Sequence, residues 1–350
     1  MIANEGYRLP AEWESQSGVQ LTWPHAATDW APMLSEITAT YREMAREIAK
    51  REPLLIVAPE GEDLSALSPL QYSIETNDTW ARDHGFITLV PTTHHPSPSS
   101  PRLLDFCFNG WGEKFEASLD NAINRRLYDE GCVQGEYVDC LDFVLEGGSI
   151  ESDGCGTIFT TTQCLMAPHR NQPLSQLEIE ERLKACFGAQ RIVWINHGNL
   201  VGDDTDGHID TLVRICPNDT LLYVGCDDTE DEQYEELRLM EEELKTLKTL
   251  EGKPYRLLRL PSPRPIYDDG DRLPATYANF LIINGAVLYP TYAQPDLDAA
   301  ARQVIAQAFP DRELVAIDCR SVIRQHGSLH CCTMQFPQGV IGTQNLKRGT

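Results

Sequence analysis

Long apolar runs are missing from this chain. None of its 350 residues falls in a window approaching the ~18 uninterrupted apolar residues that a membrane-spanning helix needs. Basic charge is scarce too. Lys and Arg total 29 against 53 Asp and Glu, a net charge of −24. Nucleic acid is thereby excluded as a partner, because phosphate binding needs a basic face. The 11 cysteines never form a C-x-x-C pair, so zinc-ribbon and dithiol redox sites lose their usual signature. The opening "MIANEGYRLPAEWESQSG" has neither the basic start nor the apolar run of a signal peptide. Together these absences predict a cytoplasmic protein, without membrane partner, whose thiols are reduced and mostly buried.

What is present describes a globular chain: 41% of residues are hydrophobic and 23% charged, enough for a sizeable core in a single domain over 1–350. Five times a helical pattern is followed by a hydrophobic strand. Ile37, Tyr41, Met44, Ala45 and Ile48 recur as one helix face would, and "LLIVAP" follows. The others are "LDNAINRRLYDEG" with "GEYVDCL", "SQLEIEERLKACFGA" with "RIVWI", "DEQYEELRLMEEELKTLKTLEG" with "YRLLRLP", and "PDLDAAARQVIAQAFPD" with "ELVAIDC". Further strand-like runs lie between them: "GFITLV", "LLDFCF", "TIFTTTQCLM", "TLVRICPNDTLLYVGC" and "NFLIINGAVLYPTY". Repeated units of a few strands and one helix suggest a closed radial α/β array. Two stretches read as loops. "PTTHHPSPSSP" is a candidate mobile hairpin tip with solvated His94 and His95, and the acidic "LPSPRPIYDDGDRLPATY" (260–277) is a candidate rim of a site.

Three polar stretches adjoin apolar strands: "NDTWARDHG" (77–85), "LEGGSIESDG" (145–154) and "GDDTDGHID" (202–210). As a calcium loop, "DDTDG" fails, since that frame puts Gly202 and Val213 where carboxylates are required. A metal held by His208, Asp210 and Cys331 is chemically conceivable. No second histidine stands at helical spacing from His208, however, and neither metal nor cofactor is expected. A solvated acidic loop remains the plain reading of "GDDTDG" taken alone.

A cysteine and a histidine on separate loops make a thiolate with an acid–base partner, and "GSLHCCTMQ" (327–335) offers Cys331 and Cys332. Carboxylates in the same pocket suit a planar guanidinium, whose N–H groups pair with carboxylate oxygens, and an aromatic such as Trp80 would lie against its face. An acyl-transfer thiol enzyme needs no such carboxylate lining.

With "RLPAEWE", "FNGWGEKF" and "YANFLIINGAVLYPTY", these motifs run in order from residue 8 to residue 335. The chain resembles the agmatine deiminase and bacterial-type (Porphyromonas-type) peptidylarginine deiminase family of the guanidine-modifying (pentein) superfamily. The resemblance implies a five-bladed α/β propeller of ββαβ-type units with pseudo-fivefold symmetry around a central active-site cavity. It implies Cys331 as nucleophile and His208 as general acid/base. Asp83 and Asp210 become the guanidinium-binding carboxylates, Trp80 an aromatic wall, and Glu146 the carboxylate that orients and charges the histidine. Asp204 and Asn279 are implied to line the pocket. Cys332 falls where the family has an apolar residue. One departure stands out: the family's Gly-Gly-Gly-Asn-Ile-His-Cys is reduced here to Gly327, with Gln325, His326 and Ser328 around it.

The resemblance implies hydrolysis of a guanidine through an S-alkylthiouronium on Cys331. Agmatine is the favoured substrate, giving N-carbamoylputrescine and ammonia in polyamine metabolism; peptidylarginine or free arginine, giving citrulline, is the alternative. "DFCFNGWGEKF" has no Arg and only Lys114 to meet a substrate carboxylate, although Arg264 and Arg272 lie in the 260–277 loop. The rivals from other classes are a catalytically silent pentein that binds a cation, and a cysteine acyl hydrolase. Nothing in the sequence decides between a monomer and a homo-oligomer.

Overall fold

The computed structural model describes residues 4, 6–92 and 100–342. His94 and His95 lie outside the described residues. The helix Leu34–Ala49 buries Ile37, Tyr41, Met44, Ala45 and Ile48 along one stripe, the amphipathic face its spacing predicts. It connects strand Gln16–Thr22 to strand Leu54–Ala58, which pair in parallel. Parallel neighbours need such a crossover, since a tight turn cannot join them. Both strands are buried at every residue, as strands covered on both faces are.

The same unit recurs four times. Helix Ile123–Asp129 crosses between Arg102–Cys107 and Glu136–Val144, and Gln176–Phe187 between Thr157–Thr161 and Arg191–Ile195. Tyr234–Thr246 joins Thr220–Val224 to Arg256–Leu260, and Pro295–Ala308 joins Ala286–Thr291 to Glu313–Asp318. Each first strand of these pairs has an antiparallel neighbour before it in the chain: Ile87–Pro91, Glu151–Ser152, Val213–Cys216 and Leu281–Ile283. In the sheet of Gln16–Thr22 that place is taken from the far end of the chain, by Thr333–Pro337. Among the described residues there are thus five sheets of three or four strands, and one two-stranded ribbon. The buried helix stripes and sheet faces form contiguous apolar cores, the largest uniting Val19, Ile37, Ile56, Leu288 and Cys332.

Two expectations are corrected. "TIFTTTQCLM" is not one strand: it stops at Thr161, whose hydroxyl accepts the Cys164 N–H at 3.1 Å and caps the short helix Thr162–Leu165. Residues 260–277 are not wholly irregular either. They contain the ribbon Tyr267–Asp268 and Asp271–Arg272, tied down by Arg272–Asp231 (2.8 Å) and Arg324–Asp268 (2.7 Å). All eleven cysteines are free, and only Cys155 is exposed. No helix among the described residues is long and apolar enough to cross a membrane.

Candidate active site

Polar residues cluster at one topological position: the turn leading into the first, antiparallel strand of each sheet. Cys331 precedes Thr333–Pro337, and Asp83 sits in the turn Ala81–His84 before Ile87–Pro91. Glu146 opens Gly147–Ser149 before Glu151–Ser152, while His208 and Asp210 flank Ile209 before Val213–Cys216. Asn279 precedes Leu281–Ile283. The turns carrying Asp83, Glu146 and Asp210 pack on one another. Side chains 331, 208, 210, 83, 146, 80 and 279 are all buried.

Asp83, Trp80, Cys331 and Asp204 line one cavity, together with Asp29 and Asp78. His208 Nδ1 lies 3.6 Å from Asp83 Oδ1. Asp83 also accepts the Gly148 N–H (3.1 Å) and the Trp111 indole N–H (3.0 Å). Asp210 Oδ2 meets His330 Nδ1 at 2.7 Å, whereas its Oδ1 is buried with no partner. Neither ring nitrogen of His208 makes a hydrogen bond of good geometry, although Asp83 and the Cys164 thiol stand beside the ring. In a buried site, orphan groups of this kind mark places where a ligand completes the hydrogen bonding.

The structure adds the partners that hold these residues. Asn279 holds the nucleophile's turn: its Oδ1 accepts the His330 N–H (2.9 Å), the Cys331 N–H (3.3 Å) and the Cys331 thiol (3.4 Å). Glu146 makes no hydrogen bond to His208. Arg170 binds it through Nε at 3.0 Å, and donates through Nη1 to Asp206 (2.6 Å) and through Nη2 to the Thr205 carbonyl (2.7 Å). Trp80 is fixed through its indole N–H to Asp78 Oδ2 at 3.0 Å. Gly327 explains its own survival: a Cβ there would come 2.1 Å from the Trp80 ring. His326 holds a left-handed backbone (φ 64°), a conformation suited to the glycine it replaces. No residue of 260–277 borders the cavity among the described residues, so that stretch is not its rim; Arg264 pairs with Asp296 (2.7 Å).

Electrostatics separates the roles. Burial pushes Asp83 up to about 6 against the opposing pull of His208, while Asp210 stays below the usual carboxylate range because His330, His208 and Arg214 outweigh burial. Burial alone would lower His208, but Asp83, the Cys164 thiol and Glu146 together outweigh it and raise the imidazole well above 6.5. Cys331 is raised well above 9.0 by burial, then by the charges of Asp210 and Asp83. The free site therefore holds a thiol, a charged imidazole and ionised carboxylates at neutral pH. A bound cation between the carboxylates cancels the charge that suppresses the thiolate.

Sequence reasoning missed Trp111, Arg170 and the network of Glu12, Arg214 and Glu151 behind His330. Arg214 Nη2 meets Glu12 at 2.6 Å and its Nε meets Glu151 at 2.6 Å, all buried or nearly so. "RLPAEWE" and "FNGWGEKF" carry two of these residues, and a buried carboxylate's need for a partner was the available signal. His326 and His330 stand four apart but diverge, His326 to the Gly202 carbonyl (2.7 Å) and His330 to Asp210 and Glu12. Ligand atoms of Glu146, Cys164 and His208 lie within 4.8 Å of one another. Arg170 already neutralises Glu146 there, which weighs against a metal cation.

A buried thiol that shares one cavity with the carboxylates of Asp83 and Asp204 and the ring of Trp80 suits an enzyme that handles guanidines, and comparison with known proteins agrees. A profile of the Porphyromonas-type peptidyl-arginine deiminases matches residues 8–337, and the chain belongs to that family; it is a hydrolase of linear amidine C–N bonds. The agmatine deiminase of Pseudomonas aeruginosa (strain LESB58) is 31% identical over 363 residues, 95% of this chain and 96% of that one. A Porphyromonas gingivalis structure, provisionally assigned as an arginine deiminase, is 48% identical with TM-score 0.90, covering 96% of this chain and all of that one. C. jejuni agmatine deiminase, solved as a cysteine-to-serine variant with substrate bound, is 37% identical with TM-score 0.87, covering 95% and 97%.

Proposed function

We propose that this chain converts agmatine and water to N-carbamoylputrescine and ammonia. The observation that carries the reading is the single cavity in which Cys331, Asp83 and Trp80 meet the further carboxylates of Asp204, Asp29 and Asp78. The guanidinium binds against Trp80, between Asp83 and Asp210, and the thiol proton leaves to solvent as the cation enters. The Cys331 thiolate attacks the guanidinium carbon, and charged His208 gives a proton to the departing ammonia. A planar S-alkylthiouronium remains. Neutral His208 then takes a proton from water as its oxygen attacks the same carbon; the adduct's hydroxyl proton passes to solvent, and collapse releases the neutral ureido product with the thiolate restored. General acid–base help of this kind is worth roughly 10²–10⁴-fold.

An amine at the far end fits the cavity better than a carboxylate does. No Lys or Arg borders it among the described residues, and Lys114 is engaged by the Asp204 carbonyl (2.7 Å) and Asp206 (2.8 Å). Burial pushes Asp204 up to about 6, leaving it mostly ionised at neutral pH. We also infer that the five sheets are blades of one closed propeller in a single cytoplasmic catalytic domain. Supporting this, every sheet sends its entry turn to the site and the last strand completes the first sheet.

The test is ammonia release from agmatine, free arginine and an arginyl peptide in parallel. Agmatine should have the highest kcat/KM by more than tenfold. A higher value for either arginine substrate would reject the assignment.

A further inference from the structure

Exposure grades along the active-site cavity. Cys331, Asp83, Trp80 and Trp111 are at most 7% exposed, whereas Phe115 on the same wall is 46% exposed and Asp29 is exposed too. Gln325 and His326 stand half-buried on the lining, toward this outer end. The chemistry above uses the inner end and leaves these two without a task.

Both side chains are tied down, and to different parts of the chain. His326 Nδ1 meets the Gly202 carbonyl at 2.7 Å. A carbonyl only accepts, so this nitrogen carries the hydrogen and donates. Gln325 Nε2 donates to the Asp29 carbonyl at 3.1 Å. The pair thus links the "GDDTDGHID" turn to the segment before helix Leu34–Ala49, a link that the two glycines of the family pattern could not make. Neither side chain can swing aside without giving up its hydrogen bond. The next residue is pressed onto the aromatic wall, since a Cβ on Gly327 would come 2.1 Å from the Trp80 ring.

We propose that Gln325 and His326 form a fixed rim at the mouth of this cavity, which admits an unbranched, amine-ended guanidine and rejects arginine held within a peptide. Resting on the deiminase reading above and deepening it, this makes selection a matter of shape at the mouth as well as of charge within. A built-in clash of this kind discriminates without strengthening the preferred contact. The cavity measures about 190 Å³, equal to about six waters at ~30 Å³ each. That is room for a short guanidine chain and not for backbone on both sides of its last carbon.

The test uses the whole protein with His326→Gly, which suits the left-handed backbone at φ 64°, and with Gln325→Ala, singly and together. Ammonia release gives kcat/KM for an arginyl peptide and for agmatine. The ratio of peptide to agmatine should rise at least about tenfold in the double variant; a ratio that stays or falls overturns the rim. A second readout needs no turnover: alkylation of Cys331 by small iodoacetamide and by bulky N-benzylmaleimide, located by tandem mass spectrometry. The maleimide rate should rise relative to the iodoacetamide rate in the double variant, and an unchanged ratio also overturns the rim. Absence of ammonia from every guanidine together with a raised alkylation ratio would reject the deiminase reading while supporting the rim, so the two fail separately.

Discussion

His330 and Asp210 are joined by a 2.7 Å hydrogen bond between Nδ1 and Oδ2, and the other ring nitrogen of His330 reaches Glu12 at 2.9 Å. One oxygen of Asp210 is thereby immobilised while Oδ1 has no hydrogen-bond partner, and on the proposed function it is Oδ1 that takes a substrate N–H. His330→Ala should lower kcat/KM about 10–100-fold, the value of a charge-assisted hydrogen bond at ~1.5–3 kcal/mol. Steady-state kinetics beside a thermal melt checks this. A folded variant with unchanged kcat/KM would show that Asp210 is positioned without His330.

Cys331→Ala should abolish ammonia release, while Cys332→Ala keeps it. Cys332 is fully buried with its thiol on the Ser328 carbonyl at 3.3 Å, so the second change trims packing and costs about 1 kcal/mol of stability. Mass spectrometry of acid-quenched protein should find the substrate adduct only on peptides containing an intact Cys331. An adduct surviving in Cys331→Ala reassigns the nucleophile.

The acid limb of the pH profile follows from Asp83, whose pKa is raised to about 6 by burial. Below that value the carboxyl is neutral and loses its attraction for a cation. kcat/KM should therefore fall about tenfold per pH unit on the acid side, with kcat less affected at saturating substrate. A profile flat down to pH 5 would place the Asp83 pKa lower.

Trp111→Phe tests the same group from the other direction. The indole N–H donates to Asp83 at 3.0 Å and lowers its pKa. Without that donor the pKa rises, and the acid limb should move to higher pH. A merely smaller pocket would change KM at all pH values and leave the limb where it was.

Far from the site, Glu52 is buried, and desolvation raises it to about 7 although its Oε2 accepts the Asn284 N–H. The folded state holds this proton more tightly than the unfolded chain does. The stability it contributes is therefore full below 4.5 and is lost as pH climbs toward 7, at most ~1.4 kcal/mol per pH unit. Glu52→Gln should melt higher than the wild type above pH 7 and not below pH 4.5. An equal difference at both ends would rule out titration as the cause.

Much of this was legible in the chain. Ile37, Tyr41, Met44, Ala45 and Ile48 mark a helix face by spacing alone, and strands such as "LLIVA" are apolar at every position because both their faces are covered. These are local patterns, and local patterns survive in one dimension. "TIFTTTQCLM" misled because its apolar residues continue past Thr161, while the stop comes from a single hydroxyl capping a turn.

The sequence by itself determined the alternation of helices and strands, the acidic charge, and the motifs that place Cys331, His208, Asp210 and Asp83 in one family pattern. Only the tertiary structure decided who holds whom: Arg170 rather than His208 on Glu146, Asn279 under the Cys331 turn, His330 on Asp210, and Gln335 on Arg82. The physical reason is that hydrogen bonds and ion pairs act over a few ångströms between residues far apart in the chain, such as His330 and Glu12, which are 318 positions apart. Hydrophobic periodicity records which face is buried, but carries no trace of what each buried charge will meet there.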